Sequence, residues 1–307
     1  MAQKTILAVA IGDEILPIAP IATNPPPAAV RPYINGLIEV VPHIGEDPGY
    51  VVNYYECPAD YLGTLFADQA DTDPDLIFCM SVRVVEQAIL QYPTKPIVAV
   101  VSNHAPYDGT NVTGFSADRV DAAVAGYDNF WLTAPDLTAV HVLHHQRHTP
   151  SVAALARIQG NHPAGVRRAP NVVHVEEDKG NITDILNSKK IPRTAGVFVL
   201  PIDRCFGAHQ EIITWQNNNQ VPTFWPVTDW VDVTARGAFG GYGVPQEYCG
   251  ERMGLKVNAI WATPGVIPAW EDCNPATDFK WSASRRTAAA LGVRLGNPEG
   301  LLIIPPP

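Results

Sequence analysis

A chain of 307 residues that is 46% hydrophobic and 17% charged has the composition of a globular protein. It is too long for one ordinary core, so two domains or one large α/β unit are expected. No apolar run is long enough to span a bilayer, and a formal net charge of -10 argues against a phosphate-backbone partner, which needs clustered Lys and Arg. Nucleic acid is not expected. The five cysteines, Cys57, Cys79, Cys205, Cys249 and Cys273, are widely spaced and form no CxxC or Cys/His zinc pattern, so no disulfide framework is indicated. The start, MAQKTILAVAIGDE, has one Lys and a short apolar run with no lipid-acceptor Cys after it; as written, the chain is expected to stay in the cytoplasm.

In chain order, Thr5 to Ile11 is a continuous apolar run ending in Gly12-Asp13, the pattern of a buried parallel strand followed by a loop. The Pro-rich stretch IAPIATNPPPAAV breaks regular structure until about Arg31, where a helical pattern begins that Pro42 and Gly45 end. Tyr50 to Tyr55 alternates as a strand, Tyr61 to Ala70 suits a helix, and DPDLIFCMS is a strand introduced by Asp-Pro. Val82 to Gln91 is the next helix. PIVAVVS, from Pro96, is again a fully apolar strand, and it ends in the polar loop Asn103-His104-Ala105-Pro106-Tyr107-Asp108. Strands alternating with helices imply parallel βαβ units.

After the short extended segment NVTGFS (111–116) and a helix from Asp118 to Phe130, the alternation restarts. Leu137 to Leu143, Asn171 to Val175 and Gly196 to Leu200 read as strands; Ser151 to Gln159, Ile182 to Asn187 and Phe206 to Asn218 read as helices. The stretch VPTFWPVTDWVDVTARGAFGGYGVPQEYCGERMGLKVNA (221–259) gives strand, crossover, strand and helix, and is expected to cross between two lobes.

Several local patterns then carry a resemblance. DPDLIFCMSVRVVEQAI, KPIVAVVSNHAPY, NVTGFS, NNNQVPTFW, GAFGGYGVPQEYCGERMGLKVNAI and ATDFKWSASRRTAAALGVRL follow in the order found in ABC-transporter substrate-binding proteins of the type I periplasmic-binding fold, and the chain is similar to the tryptophan- and tyrosine-binding lipoprotein group. The resemblance implies an α/β protein of two Rossmann-like lobes with parallel sheets joined by three crossovers. It places lobe 1 at 1–116 plus 231–264 and lobe 2 at 117–230 plus 265–307. It also implies a small-molecule ligand that is polar or aromatic and amino-acid-like, hinge closure without chemistry, no cofactor, and a membrane permease as partner of an exported form. Family members carry an export signal and often a lipid-anchoring Cys, and act outside the cytoplasm. Here Ser-Asn-His (102–104) stands where the family has Ser-Asp, which removes one carboxylate from the expected cleft.

In such a fold the ligand lies at loops that leave strand carboxyl ends. Those loops supply the expected ligand-binding residues Asp13, Ser81, Asn103, His104, His144, Asp203, Arg204, Asp229, Trp230 and Tyr242. Ser81 and Asn103 offer hydroxyl and amide partners, Arg204 can fork onto a carboxylate, and Trp230 or Tyr242 can cover an apolar face. HVLHHQRH (141–148) would align metal ligands only on a helix; its context is a strand running into a loop, so its histidines diverge and no metal is expected. Two other classes compete with solute binding. Cys79 and Cys205 resemble the paired cysteines of aspartate and glutamate racemases, where two thiols transfer protons on opposite faces of a carbon. Alternatively, a cytosolic relative of the binding fold would serve as a sensor or as the subunit of a homo-oligomer.

Overall fold

The computed structural model describes residues 3–11, 16–20, 31–41, 49–175, 181–231 and 237–305. From the amino end the elements are β1 (Lys4–Ile11), β2 (Leu16–Pro20), α1 (Arg31–Val40), β3 (Tyr50–Cys57), α2 (Leu62–Asp68), β4 (Leu76–Cys79), α3 (Val82–Gln91), β5 (Ile97–Val101) and β6 (Val112–Ser116). The chain continues through α4 (Arg119–Thr133), β7 (Ala139–His144), α5 (Thr149–Asn161), β8 (Asn171–His174), α6 (Ile182–Ser188), β9 (Ala195–Val199), α7 (Asp203–Gly207), α8 (His209–Asn219), β10 (Thr223–Trp225) and β11 (Gly240–Gly243). It ends with α9 (Gln246–Ala262), β12 (Glu271–Asp272), β13 (Lys280–Ser284), α10 (Arg285–Leu291) and β14 (Leu302–Ile304).

Two compact units divide these elements. Unit 1 is Met1–Asp118 with Gln246–Cys273, and unit 2 is Arg119–Pro245 with Asn274–Pro307. The chain therefore passes between units after Asp118, Pro245 and Cys273. From sequence, the second and third passages are placed near Trp230 and Pro264. The difference follows from β11: its Gly-Gly-Tyr-Gly backbone pairs parallel to β10 and antiparallel to β13 within the sheet of unit 2, so the chain leaves that unit only afterwards. A run of glycines shows no side-chain pattern that would assign it to one sheet or the other. Asp118, at the first passage, holds φ at 35°, a left-handed conformation uncommon for a residue other than glycine.

Each unit holds a seven-stranded sheet, in the orders β12-β6-β5-β4-β1-β3-β2 and β14-β13-β11-β10-β9-β7-β8. The same doubly wound arrangement occurs in both. The first strand (β1 or β7) has the second (β3 or β8) on one side and the next three in order on the other, all parallel. The apolar runs explain the central strands: all of Ile97–Val101 and Ala195–Val199 are buried, as expected where helices cover both faces. Fully burying each of their Val, Ile and Phe side chains stabilises by about 1.5–3 kcal/mol.

The Pro-rich segment departs from its expected irregularity at its start. Leu16–Pro20 forms β2, antiparallel to β3 at the outer edge of the first sheet with a register shift between Leu16 and Ala19. Proline is tolerated on an edge strand, where an absent N–H costs no ladder bond. In unit 1 the returning α9 packs on α1 at close range: a Cβ on Gly36 would lie 2.0 Å from the Glu247 carbonyl oxygen, and one on Gly250 2.1 Å from that of Tyr33. In unit 2, Phe130, Phe198 and Phe224 form the centre of the core, with Phe130 and Phe224 stacked at 5.0 Å between centroids.

Candidate functional site

In a doubly wound sheet the crevice for a ligand opens where successive connections turn to opposite sides of the first strand. That switch point lies between β1 and β4 in unit 1, and between β7 and β9 in unit 2. Ser81 follows β4, His144 ends β7, and Asp203 and Arg204 follow β9. Four of the residues expected from sequence thus stand at the two switch points. Asp13, which follows β1, lies outside the described residues.

In unit 1, Ser81 adopts an extended conformation and caps α3, its Oγ accepting from the Val84 N–H at 3.4 Å. It is buried, and its helix directs the remaining first-turn N–H groups toward the strand end. One strand over, after β5, Asn103 closes an Asx turn by accepting from the Ala105 N–H at 3.1 Å. His104 is the most connected residue of this end. Its Nδ1 lies 2.7 Å from Asp108 Oδ1, its Nε2 3.3 Å from Asp272 Oδ1, and its ring stacks on Trp270 with centroids 5.5 Å apart. The carboxylate lost from the strand end by the Ser-Asn-His sequence is thus matched by two others brought to the histidine. Asp272 arrives on β12, a two-residue strand beside β6. The sequence carried one signal for it, an aromatic residue followed by two acids, Trp270-Glu271-Asp272, after a proline.

In unit 2 the strand ends are more aromatic. His144 is buried, with Nδ1 3.0 Å from Ser151 Oγ and its ring edge-on to that of His174 at 5.5 Å. Burial, then the neighbouring His174 and His145, lowers its pKa and favours the neutral imidazole. Asp203 opens α7 and Arg204 sits in its first turn. Asp229 is half-buried in the turn after β10, beside Trp230. Trp230 is only 6% exposed: it stacks on His209 at 4.7 Å and meets Trp225 and Phe206 edge-on at 4.7 and 5.1 Å. Its indole Nε1 is buried and, among the described residues, has no hydrogen-bond partner. Sequence reasoning assigned Trp230 to the wall but missed Phe206 and His209, whose three-residue spacing across the α7–α8 junction aims both at the indole. Tyr242 is half-buried on β11, edge-on to Phe279 at 5.5 Å, and its hydroxyl pKa is raised by burial.

The two thiols weighed as acid–base groups sit inside their own units' cores. Cys79 is fully buried in β4, and burial pushes its pKa up, which disfavours the thiolate. Cys205 is fully buried among the apolar residues of unit 2. Cys79 is the last residue of β4 and Cys205 lies within α7, and both side chains are enclosed by apolar neighbours. Among the described residues no group of three or more His, Cys, Asp or Glu is arranged to hold a metal ion.

No protein-family model matches the chain, and no curated protein matches its sequence. Solved structures do. The ABC domain of Streptococcus pneumoniae in complex with L-Trp superposes with a TM-score of 0.70 at 12% identity, over 98% of this chain and 100% of that one. A conserved domain protein from Vibrio cholerae matches with a TM-score of 0.70 at 16% identity, over 97% and 96% of the two chains. A LacI-family transcriptional regulator from Enterococcus faecium with bound ribose matches with a TM-score of 0.57 at 10% identity, over 91% and 96%. The fold is that of the type I periplasmic-binding proteins, as the resemblance in sequence implied.

Proposed function

We propose that this protein is a solute-binding protein that captures a small polar or aromatic, amino-acid-like molecule through the strand-end loops of its units, in the manner of an ABC-transporter substrate-binding component. The observation that carries the reading is topological. The same strand order occurs in both sheets, and Ser81, His144, Asp203 and Arg204, chosen from sequence alone, stand at its two switch points.

The strand ends of unit 1 carry polar groups: the Ser81 end of α3, the Asn103 amide and the His104 imidazole set between two carboxylates. The Arg204 guanidinium of unit 2 suits a carboxylate, and the Trp230 and Tyr242 rings suit an apolar face. The Trp230 Nε1 adds a buried donor with no partner among the described residues, a group that a ligand acceptor would satisfy. Capture is also the step shared by transport components and regulators of this fold, so the same strand-end residues serve a permease-linked or a sensory role.

Thermal-shift screening with amino acids, purines and small organic acids tests the reading. A ligand of the native state raises the unfolding temperature progressively with concentration. The proposal predicts such a rise for at least one amino-acid-like compound and its loss in Arg204→Ala. A flat response across the panel would sink it.

A further inference from the structure

Away from the strand ends, unit 2 carries a groove of about 560 Å³ along the seam between α6 and α8. Seven of its nine lining residues present an amide or a hydroxyl, one is the carboxylate Glu211, one is Trp215, and none is cationic. The seam is open for a reason that can be read from both helices. α6 turns Ile182 and Leu186 inward, and α8 does the same with Ile212, Ile213 and Trp215. Their seam-facing positions, Thr183 and Asn187 on one side and Thr214 and Asn218 on the other, repeat every four residues and therefore line up as two facing polar rows.

Those rows are only partly used by the protein itself. Asn187 accepts the Trp215 indole N–H at 2.8 Å, which ties α8 to α6, and among the described residues its own amide N–H groups have no acceptor. Asn181 spends its carbonyl oxygen on the Thr183 backbone N–H and hydroxyl, both at 2.7 Å, and keeps its own amide donors. Thr214 and Asn218 are exposed, with no side-chain hydrogen bond to another described residue. An amide offers donors and acceptors side by side without net charge. Such a lining satisfies a ligand that alternates both roles over its whole surface. A phosphate or carboxylate finds no cation among the lining residues and a metal finds a single carboxylate, while the surface between the amide and hydroxyl tips is mostly apolar, which the C–H faces of a sugar match. The volume lies within the range of about 300–1,000 Å³ usual for small-molecule sites.

From this lining we infer that the α6–α8 groove is a second binding site, separate from the strand-end site, and that its ligand is a neutral, hydroxyl-rich oligosaccharide. The inference does not rest on the strand-end reading, since every group in it belongs to α6, to its cap Asn181 or to α8 of unit 2.

Isothermal titration of the full chain with neutral trisaccharides of glucose, mannose and N-acetylglucosamine provides the test. At least one is expected to bind, and Thr214→Arg/Asn218→Lys, which fills the groove from α8 with long side chains, is expected to weaken it about tenfold or more. Thr214→Ala/Asn218→Ala, which removes the polar groups without filling the space, is expected to weaken it in the same direction with an unchanged unfolding temperature. Ser81→Ala and Arg204→Ala are expected to leave it unaltered. Absence of binding by all three sugars at millimolar concentration would overturn the assignment. So would binding that survives both α8 variants, or that is lost with the strand-end variants instead.

Discussion

Gln216 is the residue whose removal is most sharply predicted. It is fully buried on α8, and its Oε1 accepts from the Thr223 N–H at 2.9 Å, the Thr223 hydroxyl at 2.7 Å and the Phe239 N–H at 3.0 Å. Its Nε2 donates to the Gly237 carbonyl oxygen at 3.1 Å. One side chain thus fixes the start of β10 and the return into β11, the two feet of the excursion that carries Asp229 and Trp230. Gln216→Met keeps the shape and deletes these partners, leaving two buried backbone N–H groups unsatisfied. At about 1–3 kcal/mol for each orphaned group, the expected loss is about 2–6 kcal/mol, above the usual range for a single substitution. Urea unfolding followed by fluorescence reads it as a lower midpoint at an unchanged slope. A loss smaller than about 1 kcal/mol would show that the amide is not the anchor, and the reasoning that places the Trp230 turn through it would fail.

Ser81→Ala removes the cap of α3 and is expected to cost about 1 kcal/mol in urea unfolding, with Ser81→Thr retaining most of it; equal stability of all three proteins would remove the cap from the account. His141, His144 and His209 all have pKa values lowered chiefly by burial. Their unfolded forms bind protons more readily, so their contribution to stability is complete above about pH 6.5 and lost as pH falls below it. Thermal unfolding at pH 7.5 and 5.5 should show this loss, and His144→Gln should reduce it; a pH response identical in the variant would exclude His144 as a contributor. Native protein treated with a thiol reagent should label the half-buried Cys273 before Cys79 or Cys205, which react only on unfolding; prompt labelling of Cys79 would revive the two-thiol reading.

The alternation of elements was open to inspection in the sequence because it rests on local physics. An apolar run of five to eight residues closed by Gly-Asp, Met-Ser or Ser-Asn is a buried parallel strand whoever its neighbours are, and β1, β4 and β5 follow directly. Once the strands are known to be parallel, the carboxyl ends within each sheet share one end of it, and Ser81 and Asn103 in the first sheet and His144 in the second fall there by position alone. β2 and β12 were hidden for the opposite reason. One is an edge strand rich in proline and the other is two residues long, and each exists only because a neighbouring strand offers an unpaired edge.

Side-chain convergence depends on sheet order, which no local pattern encodes. His104 meets Asp272 because β12 joins the sheet beside β6, next to β5, and these residues are 168 positions apart (272 less 104). Trp230 is covered by Phe206 and His209 because β9 and β10 are neighbours, so that the helices leaving β9 reach the turn leaving β10. That neighbourhood changes what Trp230 does. An indole standing alone in a loop would be a mobile platform, whereas one held on three sides by Phe206, His209 and Trp225 is fixed in orientation, and its Nε1, which has no partner among the described residues, is a donor at a set place. Under the proposed binding role, a ligand acceptor that met this donor would gain a hydrogen bond without ordering the ring, which would favour a rigid ligand with an acceptor beside its apolar face over a flexible aliphatic one.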